Sequence, residues 1–142
     1  GRVKTFTFDG LLRKREQREA DQFRIGQLEV PDSGRALEMR MPDKRELLSL
    51  YGELGEASSA LEAIEMGKHA LYACCPQLQD KALHEALGTE KDPMRTLDEL
   101  FTLREMDLMS KEVLRFLRFL PEAQAEDSDE EEAPAAAETV KN

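Results

Sequence analysis

Apolar residues recur along this chain at two spacings, one typical of β-strands and one typical of α-helices. The strand-like spacing surrounds a Pro-Asp-Ser-Gly sequence at 31–34, which is a turn signal. After this turn, residues 37–41 (LEMRM) alternate apolar and polar side chains, as in a strand with one buried face. Before it, the apolar residues change parity at Gly26, where a β-bulge would return them to one face. The pattern predicts a β-hairpin within residues 22–41.

Helical spacing dominates the rest of the chain up to residue 120. Helices are predicted at 8–20, from Pro42 onward, at 56–75, at 78–87, from Pro93 onward and at 102–120. The residues expected to face a core are Leu47, Leu48, Tyr51 and Leu54 on the helix after Pro42, and Ala57, Leu61, Ile64, Leu71 and Cys75 on the next.

Local signals mark the helix ends. Asp9 is of the type that caps a helix, and the sequence predicts that it begins the first one. Pro76 and Gly88 are expected to end the helices that precede them. Two pairs, Thr96 with Glu99 and Thr102 with Glu105, have the spacing of a capping box. Each pair therefore predicts the start of a helix.

Together these elements predict a mainly α protein: a compact helical domain with an N-terminal β-hairpin and a disordered acidic C-terminal tail. Three regions are expected: an N-terminal charged helical arm at 1–20, a β-hairpin plus helical body at 21–120, and the tail at 121–142. The tail has eight acidic residues, one base and almost no large apolar side chain. It therefore cannot bury enough surface to offset the entropy lost on ordering.

Charge argues against nucleic acid as a partner. The chain carries a net charge of −10, and the residues before the tail contain 19 bases and 22 acids. Affinity for phosphate backbones depends on Lys and Arg. This near-neutral body has no excess of these residues over acidic ones. The basic stretch at 13–15 is followed by Glu16 and is typical of a solvated helix face. No apolar run reaches the roughly 20 residues of a membrane span, and no signal peptide is recognisable, so we expect a cytoplasmic protein without membrane association.

Residues with potential chemistry are few. His69, Cys74, Cys75 and His84 are the soft metal ligands, but their spacing does not match the paired motifs of zinc sites, and His84 is expected on a polar helix face. Adjacent cysteines are poorly placed to bridge, which fits a reducing compartment. The nucleophile elbow, the P-loop and the dinucleotide-binding glycine motif are all missing. The sequence therefore predicts no catalytic residues, no metal and no cofactor, and a protein that acts by binding another protein.

The segment FLRFL at 116–120 is unusually apolar for a surface helix, and with the hairpin it is a candidate contact surface. Two interpretations remain open for these side chains. They bind a partner, or they fill the core.

Four sequence steps add a family resemblance: Pro76-Gln77-Leu78, then LHEALG at 83–88, then Asp92-Pro93 followed by Leu97 or Leu100, then EMDL at 105–108. With the charged helix and hairpin before them, they resemble the tail assembly chaperones of long-tailed phages and defective prophages of Gram-positive bacteria, over roughly residues 8–120. The chain departs from that family in its apolar VLRFLRFL ending and in its longer acidic tail.

The resemblance implies a chaperone that binds the tape measure protein, keeps its apolar helices from aggregating, and recruits tail tube subunits during virion assembly. Such a protein is absent from the mature particle and works in the bacterial host cytoplasm, with self-association as a further possibility. We expect flexible, exposed side chains on the last helix to bind the client, namely Met106, Met109, Val113, Phe116, Leu117 and Leu120. The alternative is an acidic regulatory adaptor or inhibitor protein, acting by protein binding through its tail.

Overall fold

The structure is a computed structural model that describes residues 2–120, so the predicted disordered tail at 121–142 lies outside the described residues. Its elements confirm a mainly α protein with a two-stranded antiparallel hairpin near the N-terminus. In chain order they are α1 (Phe8–Asp21), β1 (Ile25–Val30), β2 (Arg35–Arg40), α2 (Lys44–Glu56), α3 (Ala60–Cys74), a 3₁₀ turn (Pro76–Gln79), α4 (Lys81–Leu87), α5 (Arg95–Leu100) and α6 (Leu103–Phe116).

The hairpin turn forms at 31–34, as the sequence predicts. Asp32 and Gly34 adopt positive φ angles of 62° and 70°, a conformation that glycine, and more rarely aspartate, accommodates. The hydroxyl of Ser33 accepts a hydrogen bond from the Arg35 N–H at 3.0 Å and donates to the carbonyl of Val30 at 2.8 Å. The side chain of Ser33 thus stabilises the turn and helps to fix the register of the two strands.

The prediction of a bulge at Gly26 is wrong. Gly26 pairs with Met39 in a register that runs without interruption along both strands. Instead, the apolar residue before the change of parity stays in solvent: Ile25 is 58% exposed, while Leu28 is buried. Gly26 has a packing role: a Cβ atom there would lie 3.0 Å from the ring of Phe116. The missing side chain lets the end of α6 approach the hairpin.

The core lies where α3, α6 and the hairpin meet. α3 and α6 pack closely because Gly67 faces Ser110, where a Cβ atom on the glycine would lie only 2.5 Å from the serine Oγ. The hairpin contacts α6 through β1 and the 3₁₀ turn through β2. The largest apolar side chains that are almost fully buried are Leu28, Leu50, Met66, Leu71, Leu78, Leu97, Met109 and Val113.

On α2 the apolar face toward the core differs from the predicted one. Leu47, Leu50 and Leu54 point inward, and Leu50 is the most deeply buried of the three. Leu48 and Tyr51 are 73% and 60% exposed, so their assignment to the core is wrong. A helix with leucines on more than one face offers two adjacent stripes, and contact with neighbouring elements decides which is buried.

The same correction applies to α3. Leu71 and Cys75 are buried as predicted, but Leu61 at the start of the helix is 69% exposed. The buried stripe also contains Met66, Ala70 and Cys74, at steps of four residues.

Helix ends agree with the sequence signals in most places. Thr102 and Glu105 form the predicted capping box, with two reciprocal hydrogen bonds at 3.1 and 2.9 Å. Gly88 ends α4 with a positive φ of 71°, and α3 ends before Pro76. The first helix is capped by Thr7 and not by Asp9, which lies in its first turn.

Three further predictions are wrong. Thr96 does not cap a helix; it lies within α5, is completely buried, and its hydroxyl bonds that of Thr89 at 2.7 Å. α5 begins only at Arg95, because a tight turn after Asp92 precedes it. His84 is only 5% exposed and not on a polar face, since its Nε2 donates to the carbonyl of Leu78 at 2.8 Å.

Within residues 2–120, no helix is both long enough and apolar enough to cross a bilayer.

Candidate protein-binding surface

α1 stands apart from the core, because none of its residues is buried. Thr7 begins the helix by accepting a hydrogen bond from the Gly10 N–H at 3.0 Å. Three large apolar side chains remain open to solvent: Phe8 is 76%, Leu11 53% and Leu12 45% exposed. Their spacing of three and four residues puts them on one face. A 14-residue helix of this kind is marginal in water alone, so covering this face would stabilise it.

Basic side chains border the apolar face of α1. Leu11, Lys14, Arg15 and Arg18 follow the i, i+3, i+4, i+7 spacing of a single helix side. Arg15 reaches Glu19 at 3.5 Å, but both side chains are more than half exposed, so this ion pair contributes little. The apolar and basic faces therefore overlap along Leu11 and are both open to solvent.

The charge of the N-terminal region is opposite to that of the rest of the body. Residues 2–24 contain seven bases and four acids, whereas residues 25–120 contain 12 bases and 18 acids. The near-neutral total therefore combines a basic N-terminal region, the arm with the residues up to Arg24, and an acidic domain. Local charge of one sign attracts segments of the other sign and speeds their encounter.

The base of the arm is tied to the C-terminal end of α6. The guanidinium of Arg24 donates to the carboxylate of Asp21 and to the carbonyl of Phe116, and it lies 4.9 Å from the centre of the Phe116 ring. Arg118 also approaches Asp21, at 3.7 Å. These charged and cation–π contacts join the C-terminal end of α1 to the body.

An open groove of about 930 Å³ begins beside this junction. Its walls are the last turn of α1, the start of β1, the end of β2 and the start of α2, and its apolar lining is Phe23, Ile25, Met41, Pro42 and Leu47. Phe23 is 79% exposed. Among its charged residues, Arg18 and Lys44 have no ion-pair partner within the part of the chain that the structure describes.

The predicted client-binding residues of α6 are not exposed. Met106, Met109, Val113 and Leu117 have at most 6% of their surface exposed, and Phe116 and Leu120 are half-buried against the same core. The expectation of an exposed apolar stripe on this helix is therefore wrong, and the core-filling interpretation describes these side chains. The physical reason is the close packing of α6 on α3 and on β1, which covers its apolar side.

The sequence carries a signal that points to the arm. Residues 8–20 have too little apolar content to persist as a helix without a partner surface. In the structure that partner surface is not supplied by the body, since α1 buries none of its side chains. A helix that the body leaves uncovered was therefore the better candidate than the most apolar helix.

The potential metal ligands are separated. His69 contacts a carboxylate oxygen of Glu53 at 2.6 Å, and the ring of His84 stacks on Tyr72 with 6.1 Å between ring centres. Within residues 2–120, no three His, Cys, Asp or Glu side chains converge on a point that could hold an ion. Burial raises the pKa of the Cys74 and Cys75 thiols to about 12, so both keep their protons at neutral pH.

No known protein-family model, curated protein or solved structure matches this chain. The arm and groove offer apolar side chains beside unneutralised cations, and these groups recognise amphipathic polypeptide segments that carry acidic side chains.

Proposed function

We propose that this protein is a phage tail assembly chaperone that binds the tape measure protein and recruits tail tube subunits during virion assembly. It is absent from the mature particle and acts in the cytoplasm of the bacterial host. The observation that carries the proposal is α1, which holds Phe8, Leu11 and Leu12 in solvent and buries no residue. A chaperone has to present apolar surface of this kind before its client is assembled.

The family resemblance of residues 8–120 supports the same proposal. The sequence steps on which it rests fall on consecutive elements beside the core. Leu78 of the first step is buried in the 3₁₀ turn, Gly88 ends α4, and Met106 of the last step is buried in α6. In this proposal they provide the scaffold, and the arm and groove provide the contacts with the client.

The chemistry of the surface specifies the client segment. An amphipathic helix with an apolar stripe would cover Phe8, Leu11 and Leu12, as in helix-in-groove recognition. Acidic side chains beside that stripe would meet Lys14 and Arg18 and fix its direction. A tape measure protein is long and helical, so many such segments along it can bind many copies of the chaperone.

The test is an affinity capture of the tagged full chain from cells in which its native phage or prophage is induced, followed by mass spectrometry. The unmodified chain is expected to retain a very long helical protein and a protein of tail-tube size. Replacing both Leu11 and Leu12 by Gln keeps good helix formers in α1 but removes its apolar face. Because burying one leucine contributes about 1.5–3 kcal/mol, the loss of two should reduce recovery of the long protein at least about tenfold.

Leu48→Gln is the matched control, because Leu48 is also an exposed leucine on a helix, at 73% exposure. Equal recovery with the control and the arm variant would show that the arm is not the contact surface. Capture of one unrelated regulator, in place of any long helical protein, would sink the chaperone proposal and favour the adaptor.

A further inference from the structure

The acidic segment 126–132 holds six acids in seven residues and no base. The surface of opposite charge in the described part of the chain is the arm, where residues 2–24 have seven bases and four acids. The rest of the body, residues 25–120, is itself acidic, with 18 acids and 12 bases, and so repels the segment. Charge complementarity thus selects the arm as the place where this segment can bind.

The chain leaves the described residues next to the arm. The carbonyl of Phe116 accepts a hydrogen bond from Arg24, at the base of α1. The guanidinium of Arg118 lies 3.7 Å from the carboxylate of Asp21, the last residue of α1, and Leu120 is only two positions further along the chain. The last described residues of the chain and the end of the basic helix are therefore neighbours.

The connecting distance is short enough for contact within one molecule. Glu126 is the sixth residue after Leu120, and an extended chain spans up to about 20 Å over six such steps. Along α1, the step from Asp21 back to Lys14 is seven residues, or about 10 Å of helix. The acids therefore reach every basic residue on the exposed side of α1.

We propose that residues 126–132 bind the basic side of α1 in the same chain, at Lys14, Arg15 and Arg18, and extend to Lys44 at the rim of the groove. Each exposed ion pair is weak alone. A short connection, however, holds the acids at an effective concentration of the order of millimolar, so that several weak pairs suffice. The contact ends at Arg18 and Lys44. These two residues line the groove and have no ion-pair partner in residues 2–120.

A tail bound at these cations would compete with a client for them. Residues 121–142 contain Val140 as their largest apolar side chain, so they neutralise the cations without filling the apolar face at Leu11 and Leu12. A client with both acids and an apolar stripe gains the additional burial and replaces the tail. This second step rests on the proposed function, whereas the contact between tail and arm does not.

The experiment uses the full chain with Ser128→Cys carrying a nitroxide spin label, and records the amide signals of an isotope-labelled sample by NMR. Both native thiols are completely buried and stay protonated, so the label attaches selectively at 128. The expected result is loss of the amide signals of Lys14, Arg15 and Arg18 through paramagnetic broadening, while those of α5 persist. Raising the salt concentration from about 0.02 M to about 0.5 M should restore them, because screening then acts within a few ångströms.

The matched control replaces Lys14, Arg15 and Arg18 by Gln in the spin-labelled chain, and its α1 signals should not broaden. A mixture of isotope-labelled chains without the nitroxide and unlabelled chains with it tests for contact between copies. Broadening of α1 in that mixture would overturn the proposal in favour of a second copy as the occupant. Equal broadening of all amide signals, or no broadening, would overturn the proposal altogether. Because no client is present, this experiment can fail while the affinity capture succeeds.

Discussion

Burial changes the acid–base behaviour of the two adjacent cysteines. Desolvation is the main reason that the pKa of each thiol rises from 9.0 to about 12, and for Cys74 the neighbouring Cys75 and Glu46 add to it. In the unfolded chain the thiols ionise from about pH 9, but in the folded protein they retain their protons. The unfolded state therefore binds fewer protons above that pH, and the free energy of unfolding falls as the pH rises toward 12.

This difference predicts alkaline destabilisation. Each thiol should lower the free energy of unfolding by about 1.4 kcal/mol per pH unit between roughly pH 9.5 and 11.5. Urea unfolding across this range measures the slope in the native chain and in a variant with Cys74→Ala and Cys75→Ala. The variant starts from a lower stability because of the cavities, but its slope should be shallower. Identical slopes would mean that the thiols ionise equally in both states.

At the scale of elements, the contact between α3 and α6 depends on the absence of one side chain. A Cβ atom at Gly67 would lie 2.5 Å from Oγ and 2.7 Å from Cβ of Ser110, which requires the two helices to separate. Gly67→Ala should therefore lower the free energy of unfolding by about 1–3 kcal/mol, the usual cost of overpacking, in spite of alanine's better helix propensity. Chemical denaturation measures this change directly.

Gly52→Ala is the control for that substitution. Gly52 also lies within a helix, but an added Cβ atom meets nothing within 4 Å. Alanine there should stabilise the protein by up to about 1 kcal/mol through helix propensity alone. Adding Ser110→Gly to Gly67→Ala should recover part of the loss, as a favourable coupling between the two sites. If both alanines stabilise the protein, the helices are not in the close contact described above.

Elements whose formation depends on short-range signals could be predicted from the sequence. The hairpin turn at 31–34, the capping box at Thr102 and the end of α4 at Gly88 all rest on the conformations of a few neighbouring residues. The core faces of α2 and α3 could not, because Leu48 and Leu61 are as apolar as the leucines that became buried. Which stripe is covered depends on contacts between elements distant in sequence, such as Gly67 with Ser110.

At the scale of the whole molecule, exposed apolar side chains lie on the first helix and not on the last, where the sequence predicts them. Sequence alone identified apolar stripes, but it gave no measure of which stripe the body would cover. α6 has its apolar side against α3 and β1, so Met109 and Val113 became core. α1 buries none of its residues, so Leu11 and Leu12 remain exposed. Exposure is a property of the assembled fold and not of either segment.

The tail and the arm together give a prediction that separates the two candidate functions. Replacing the six acids of 126–132 by Gln or Asn should release the arm, and recovery of the long helical client by affinity capture should increase a few-fold, as expected when an occluding state is removed. Gln at positions 14, 15 and 18 should lower the recovery of the client, because the client loses its cationic partners. An adaptor or inhibitor that acts through its acidic tail behaves in the opposite way, since neutral 126–132 would abolish partner binding. The direction of the change with the tail variant thus decides whether the acids cover the binding surface or form it.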